Sequence, residues 1–175
     1  MHRFPCILAA LVIISNFLPA SGQDKTSPNK LADGVYAVLR ESLKEKDLLP
    51  LKDGEALIVH RHRYLKKDDR EPPRFLAVRS APDVTLDLAG EPKAVKEGAD
   101  MVRILLKLQP KAAKALERLT SDRLGRQVTI VIGGEVVTMH KIREVIRGGD
   151  VQITSCAAGA ANYLLEQLQA KQKNR

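Results

Sequence analysis

The chain has 175 residues, a length that suits one domain with at most a small appended lobe. Hydrophobic residues are 44% and charged residues 29%, which excludes a disordered chain; with aromatics at 3% and no Trp, the core must be built from Leu, Val, Ile and Ala. Lys and Arg number 29 against 21 acids, a formal net charge of +8, yet the basic residues are interleaved with acids (Lys66 and Lys67 precede Asp68 and Asp69). That pattern, with few aromatics for stacking, fits a solvated basic surface, and nucleic acid is not an expected partner.

His2 and Arg3 make a short positive start, and residues 7–18 (ILAALVIISNFL) are apolar. Pro19 breaks this run, and Ala20-Ser21-Gly22 supplies small residues for a peptidase. Residues 1–22 therefore read as a cleavable secretory signal, with an uncleaved anchor as the alternative. About a dozen apolar residues are too few to cross a bilayer as a helix. No second run of spanning length follows, so a periplasmic or secreted protein with no transmembrane segment after signal removal is expected. Cys6 lies inside the signal without a lipobox-like context. Residues 23–33 read as a disordered linker.

Residues 34–41 (GVYAVLRE) fit a strand or a helix, with a lean to strand. After the Lys52-Asp53-Gly54 turn signal, residues 56–65 (ALIVHRHRYL) read as a strand, 66–73 as a polar loop and 75–79 as the returning strand of a hairpin. Residues 84–88 alternate as a short strand. The polar stretch 91–100 (EPKAVKEGAD) reads as the junction after a β-rich N-terminal lobe, 34–90. Beyond it, 102–108 is a strand, and Pro110 opens a helix to about Ser121 with Ala112, Ala115, Leu116 and Leu119 on one face. Residues 127–132 and 135–139 form strands around a Gly133-Gly134 hairpin turn. A short apolar segment, 142–146, leads to a second glycine pair, Gly148-Gly149, then a strand at 151–154. A helix over 157–169 turns Ala161, Leu164, Leu165 and Leu168 inward, and 171–175 is a basic tail. The fold class is α+β: a small mixed or antiparallel sheet covered by two helices over 101–170, preceded by the mostly β lobe.

Few residues offer chemistry. His60 and His62 flank Arg61, which would place both on one strand face at metal-ligand spacing, with His140 as a possible third ligand. Their cationic neighbours oppose a metal, and an exposed strand face is the other reading. Cys156 is the one cysteine left after cleavage. It reads as a small core residue, with a thiol nucleophile just ahead of a helix or an intermolecular disulfide as alternatives. Neither glycine pair has phosphate-loop spacing. No catalytic, cofactor-binding or metal residue is therefore expected, and no cofactor.

From Ile104 to Leu168 the chain resembles the head part of the first periplasmic domain of SecD, a subunit of the bacterial protein-export translocase. The match runs through ILLKL, AAKALERLT, GRQVTIVIGGEVVTMHKI, IRGGDVQITS and AAGAANYLLEQL. Gly125, Gly134, Glu135, Val136, Thr138, Ile142, Ile146, Gly148, Gly149 and Ile153 carry it. SecD also has transmembrane helices and couples export to the proton gradient, and neither is expected here after signal removal. The resemblance implies an exported, non-catalytic binding module that contacts polypeptide or an envelope protein. Two alternatives stay open: a thiol-dependent enzyme using Cys156, and a basic envelope protein that binds anionic polymer. Oligomeric state is open as well.

Overall fold

The stretch that the sequence leaves open between strand and helix forms two strands, β1 (Gly34–Ala37) and β2 (Arg40–Ser42). A computed structural model describes residues 30–64, 71–97 and 101–173, with the backbone alone over 155–158. The expected export signal and the hairpin tip at 65–70 lie outside the described residues. A short 3-10 turn (Glu45–Leu48) leads to the hairpin β3 (Glu55–His60) and β4 (Arg74–Arg79). Then follow β5 (Val84–Thr85), β6 (Lys93–Lys96), β7 (Met101–Lys107), α1 (Pro110–Asp122), β8 (Gln127–Ile132), β9 (Glu135–Lys141), β10 (Asp150–Ala157) and α2 (Ala158–Lys173). The fold is α+β, with a region before β6 that is mostly strand.

Three antiparallel sheets result, in the orders β5-β1-β8-β9, β2-β4-β3 and β10-β7-β6. The first lies between two hydrophobic clusters, because alternate strand residues point to opposite faces. Val35, Ala37, Ile130, Ile132 and Val137 join residues of α1, α2, β7 and β10 on one side. Tyr36, Val131 and Val136 pack with Leu31, Leu76 and Val78 on the other. The chain steps from the first sheet to the second within one residue: the Val38 N–H donates to the Gln127 carbonyl (3.0 Å), and the Leu39 N–H to the Ala77 carbonyl (2.9 Å).

β1 also crosses the sequence division drawn at 91–100, since it pairs with β8, which lies beyond that point. Residues at the end of the expected linker are docked as well. Leu31 is buried, and one Asp33 oxygen accepts the Gly133 N–H at 2.8 Å while the other lies 2.7 Å from Lys171 Nζ. Residues 93–96, read as part of a polar junction, form β6. All four are exposed on an edge strand, where lysines stay in water and no apolar alternation is required. The strand expected over 84–88 is shorter, keeping one further bridge between Leu88 and Leu108.

Both expected glycine turns form. Gly133 and Gly134 have φ of 64° and 80°, and Ile132 pairs with Glu135 across them, a two-residue turn whose twist suits a hairpin. Gly149, at φ 77°, has a second constraint: an added Cβ would stand 2.5 Å from the Ala113 Cβ on α1. Gly148 has the same φ, but its nearest atom would be Asp150 Oδ2 at 3.7 Å. Gly149→Ala should therefore destabilise the fold by about 2–4 kcal/mol, combining backbone strain with the clash, and Gly148→Ala by about 1–2 kcal/mol from strain alone. Denaturant midpoints of the two variants check the difference. Equal losses would mean that α1 does not press on this turn.

Candidate functional site

Two places on the fold concentrate unusual groups. The first is built where the β3–β4 hairpin meets β9. β3 ends at His60, earlier than the sequence suggests, and His62 turns the chain with φ 51°. His62 is thus outside the strand, and the two imidazoles do not sit side by side on an exposed strand face. Both are buried, with ring centroids 3.9 Å apart and planes at 33°. Positive φ at His62 folds its ring back onto His60, a conformation that a repeating strand pattern cannot reveal. Just beyond, Arg63 Nη1 lies 2.5 Å from Glu135 Oε1, and the Tyr64 hydroxyl donates to Glu135 Oε2 at 2.8 Å. These contacts fasten the end of the hairpin to the start of β9, and burial pushes the Tyr64 phenol pKa up.

His140, near the end of β9, has Nε2 2.8 Å from Thr138 Oγ1. It lines one pocket of about 390 Å³ together with His60, His62, Glu71 and Arg74. The structure therefore brings the three candidate histidines to one pocket. Among the described residues no group of three or more His, Cys, Asp or Glu side chains is placed to hold a metal. Two ring nitrogens, His60 Nδ1 and His62 Nε2, are buried without a hydrogen-bond partner among the described residues. Burial is the largest cause lowering the His60 pKa from 6.5 to about 4, with His62, Arg74 and His140 acting the same way and Glu71 opposing. Cys156 lies in β10, its backbone paired with Val102 after a register shift that follows Ile153.

The second place is a cleft of about 700 Å³ between β8 and β10, walled by residues 140–147. Leu116, Val128, Ile130, Ile142, Ile146 and Val151 give it an apolar lining. One edge of β10 pairs with β7, and no other strand pairs with β10 among the described residues. The wall is tied to α1 at several points. The Thr120 hydroxyl, 1% exposed, donates to the Leu116 carbonyl (2.9 Å) and accepts the Ile146 N–H (3.0 Å). The Ile142 N–H donates to the Arg126 carbonyl (2.8 Å), and the Gly125 N–H to the Ile142 carbonyl (2.9 Å). The cleft eluded the sequence reading because 142–146 shows only as a short apolar segment, while its partner Thr120 falls among apolar helix positions.

The family model described as SecDF, P1 head subdomain, matches residues 62–171. A solved structure described as a membrane component SecDF that enhances protein export is 30% identical over 57% of this chain and 42% of that chain, with a TM-score of 0.42. A crystal structure of SecDF in a super-membrane-facing form is 19% identical over 81% of this chain and 18% of that chain, with a TM-score of 0.49. The chain thus spans less than half the length of either structure. No curated protein matches it. No helix among the described residues is long and apolar enough to cross a membrane.

Two outcomes follow from this geometry. His60 binds a proton more readily unfolded than folded between about pH 6.5 and pH 4, so stability falls as pH drops through that window. The loss should reach about 2 kcal/mol by pH 5 relative to pH 7, and His60→Gln should flatten that part of the profile. Urea midpoints of parent and variant across this range test it, and parallel profiles would show that His60 does not carry the effect. Thr120→Val leaves the Ile146 N–H without its acceptor and should cost about 1–2 kcal/mol. Faster hydrogen exchange at the Ile146 amide is expected to accompany that loss.

Proposed function

The chain belongs to the SecDF P1 head subdomain family, and on that premise we propose that it is an exported, non-catalytic module that holds extended polypeptide in the cleft between β8 and β10. In this reading residues 1–22 are its export signal and the mature protein works on the periplasmic side of a membrane. The observation that carries the proposal is the pairing of an apolar floor with a strand edge. A segment of polypeptide needs backbone hydrogen-bond partners and room for alternate side chains. The open edge of β10 supplies the first requirement and the lining from Leu116, Ile130 and Ile142 the second. Such contacts read main chain more than side chain, which suits a module that meets many different sequences.

The remaining arrangement of side chains supports a binding role over a reaction. At the rim of the cleft Asp150 pairs with Lys107 (3.0 Å) and Arg147 with Glu117 (3.3 Å), which leaves the rim mixed in charge. Binding driven by the cleft should therefore survive salt, whereas capture of an anionic polymer should not.

Titration of the mature protein with an unfolded, apolar-rich peptide tests this reading. Amide shifts should concentrate at residues 142–147 and 150–154. Val145→Asp, on the cleft wall, should weaken binding at least about tenfold, as a charge set against an apolar ligand does. Cys156→Ala should leave binding unchanged, and raising salt to about 0.5 M should change affinity less than about threefold. Peptide binding elsewhere, or loss of binding in the Cys156 variant, would sink the proposal.

A further inference from the structure

We propose that a separate concavity, at the C-terminal end of α1, binds a phosphate-bearing anion. It has a volume of about 520 Å³ and is lined by Arg79, Arg118, Arg123 and Arg126. Two acids share it, Asp83 and Asp122. Asp83 is already engaged: Oδ2 accepts the Ala37 N–H at 2.8 Å, and Oδ1 lies 3.5 Å from Arg79 Nη1. Among the described residues Arg118, Arg123 and Arg126 have no carboxylate within 4.0 Å. Four arginines thus line one hollow, three of them without a carboxylate partner among the described residues, against a single uncommitted acid, and this excess of positive charge favours an anion.

The choice of phosphate follows from shape and support. A guanidinium presents a planar fork of donors that matches two phosphate oxygens, and a phosphate group has oxygens enough for more than one fork. The turn bearing Arg123 and Arg126 is pinned. The Arg123 N–H donates to the Leu119 carbonyl (3.1 Å), the Arg126 N–H to the Arg123 carbonyl (3.0 Å) and the Gly125 N–H to the Ile142 carbonyl (2.9 Å). A pinned backbone reduces the ordering cost of binding. Asp122 and the carbonyl end of α1 oppose an anion, so binding rests on the arginines outnumbering them. An acidic protein surface would require a broad basic face. Outside the hollow, basic residues alternate with acids, as at Lys107–Asp150 and Arg147–Glu117.

The probe is inorganic pyrophosphate, titrated into the full mature chain at about 50 mM NaCl, where surface charges are weakly screened. Amide shifts are expected at Arg79, Asp83 and residues 115–126. Paired Arg118→Gln and Arg123→Gln should weaken binding at least about tenfold, and Asp122→Asn should tighten it about threefold. Paired Lys111→Gln and Lys114→Gln, on earlier turns of the same helix, should change it less than about twofold. Absence of saturable binding up to about 10 mM would overturn the proposal, since a paired-fork site should exceed that affinity. So would an equal effect of the lysine pair, an unchanged Asp122→Asn variant, or tighter binding of polyglutamate than of pyrophosphate. Vesicles then separate the sources of phosphate. Arginine-dependent binding to phosphatidylglycerol vesicles, but not to phosphatidylcholine, upholds the site with a lipid headgroup as ligand. Pyrophosphate binding without vesicle binding upholds it with a soluble ester.

Discussion

The pairing of β1 with β8 is the constraint on which the rest of the structure depends. β1 is four residues long and buried throughout. It is held on both edges, by β5 and by β8. Val35 and Ala37 face the cluster under the helices, and Tyr36 faces the cluster under β4. Because the side-chain period of a strand is two, a one-residue slip of β1 would exchange these faces and place Tyr36 among the helices. The register therefore fixes both cores at once. It also sets the point at which the chain leaves for the second sheet, since Val38 bonds to the first sheet and Leu39 to the next.

Much of this was legible in the sequence where a local rule is strong. The Gly133-Gly134 pair between two β-rich runs marked one turn and the Gly148-Gly149 pair ahead of a strand the other, and the proline at the start of α1 with the spacing of Ala112, Leu116 and Leu119 marked the helix. β6 was hidden because Lys93 to Lys96 has no buried face to impose alternation. The partnership of β1 with β8 was hidden because strand pairing across such a separation leaves no trace in a single sequence. At the histidine pocket the residue types were legible and the geometry was not. Spacing alone put His60 and His62 on one strand face, whereas the structure turns left-handed at His62 and buries both rings against each other at a tilt. The cleft depends on Thr120, whose hydroxyl serves a loop that follows it by more than twenty residues.

α1 links the two places where ligands are proposed. Leu116 and Thr120 face the apolar cleft, and Arg118 and Arg123 line the charged hollow. The Gly125–Ile142 and Arg126–Ile142 hydrogen bonds belong to the support of both. An occupant that shifts the end of α1 would be felt on the other side, because the same few backbone groups hold both walls. The buried histidines stand apart from this unit, where β3, in the second sheet, meets β9, in the first.

The clip made by Asp33 has a mechanical consequence. Its carboxylate holds the Gly133 N–H and Lys171, so the first described segment meets the last helix near that helix's end. Tension applied between the two ends of the folded unit would first load this single ion pair, an exposed lysine against a buried acid. Next along the chain is β1, whose antiparallel hydrogen bonds to β5 and β8 run perpendicular to the strand, so that a pull along the strand would load them together rather than in succession. The unit is therefore built with a weak latch in series with a strong clamp. Parting the ion pair releases only Lys171 from the Asp33 carboxylate, and α2 stays held by Ala161, Leu164 and Leu168, which are buried in the cluster beneath the sheet.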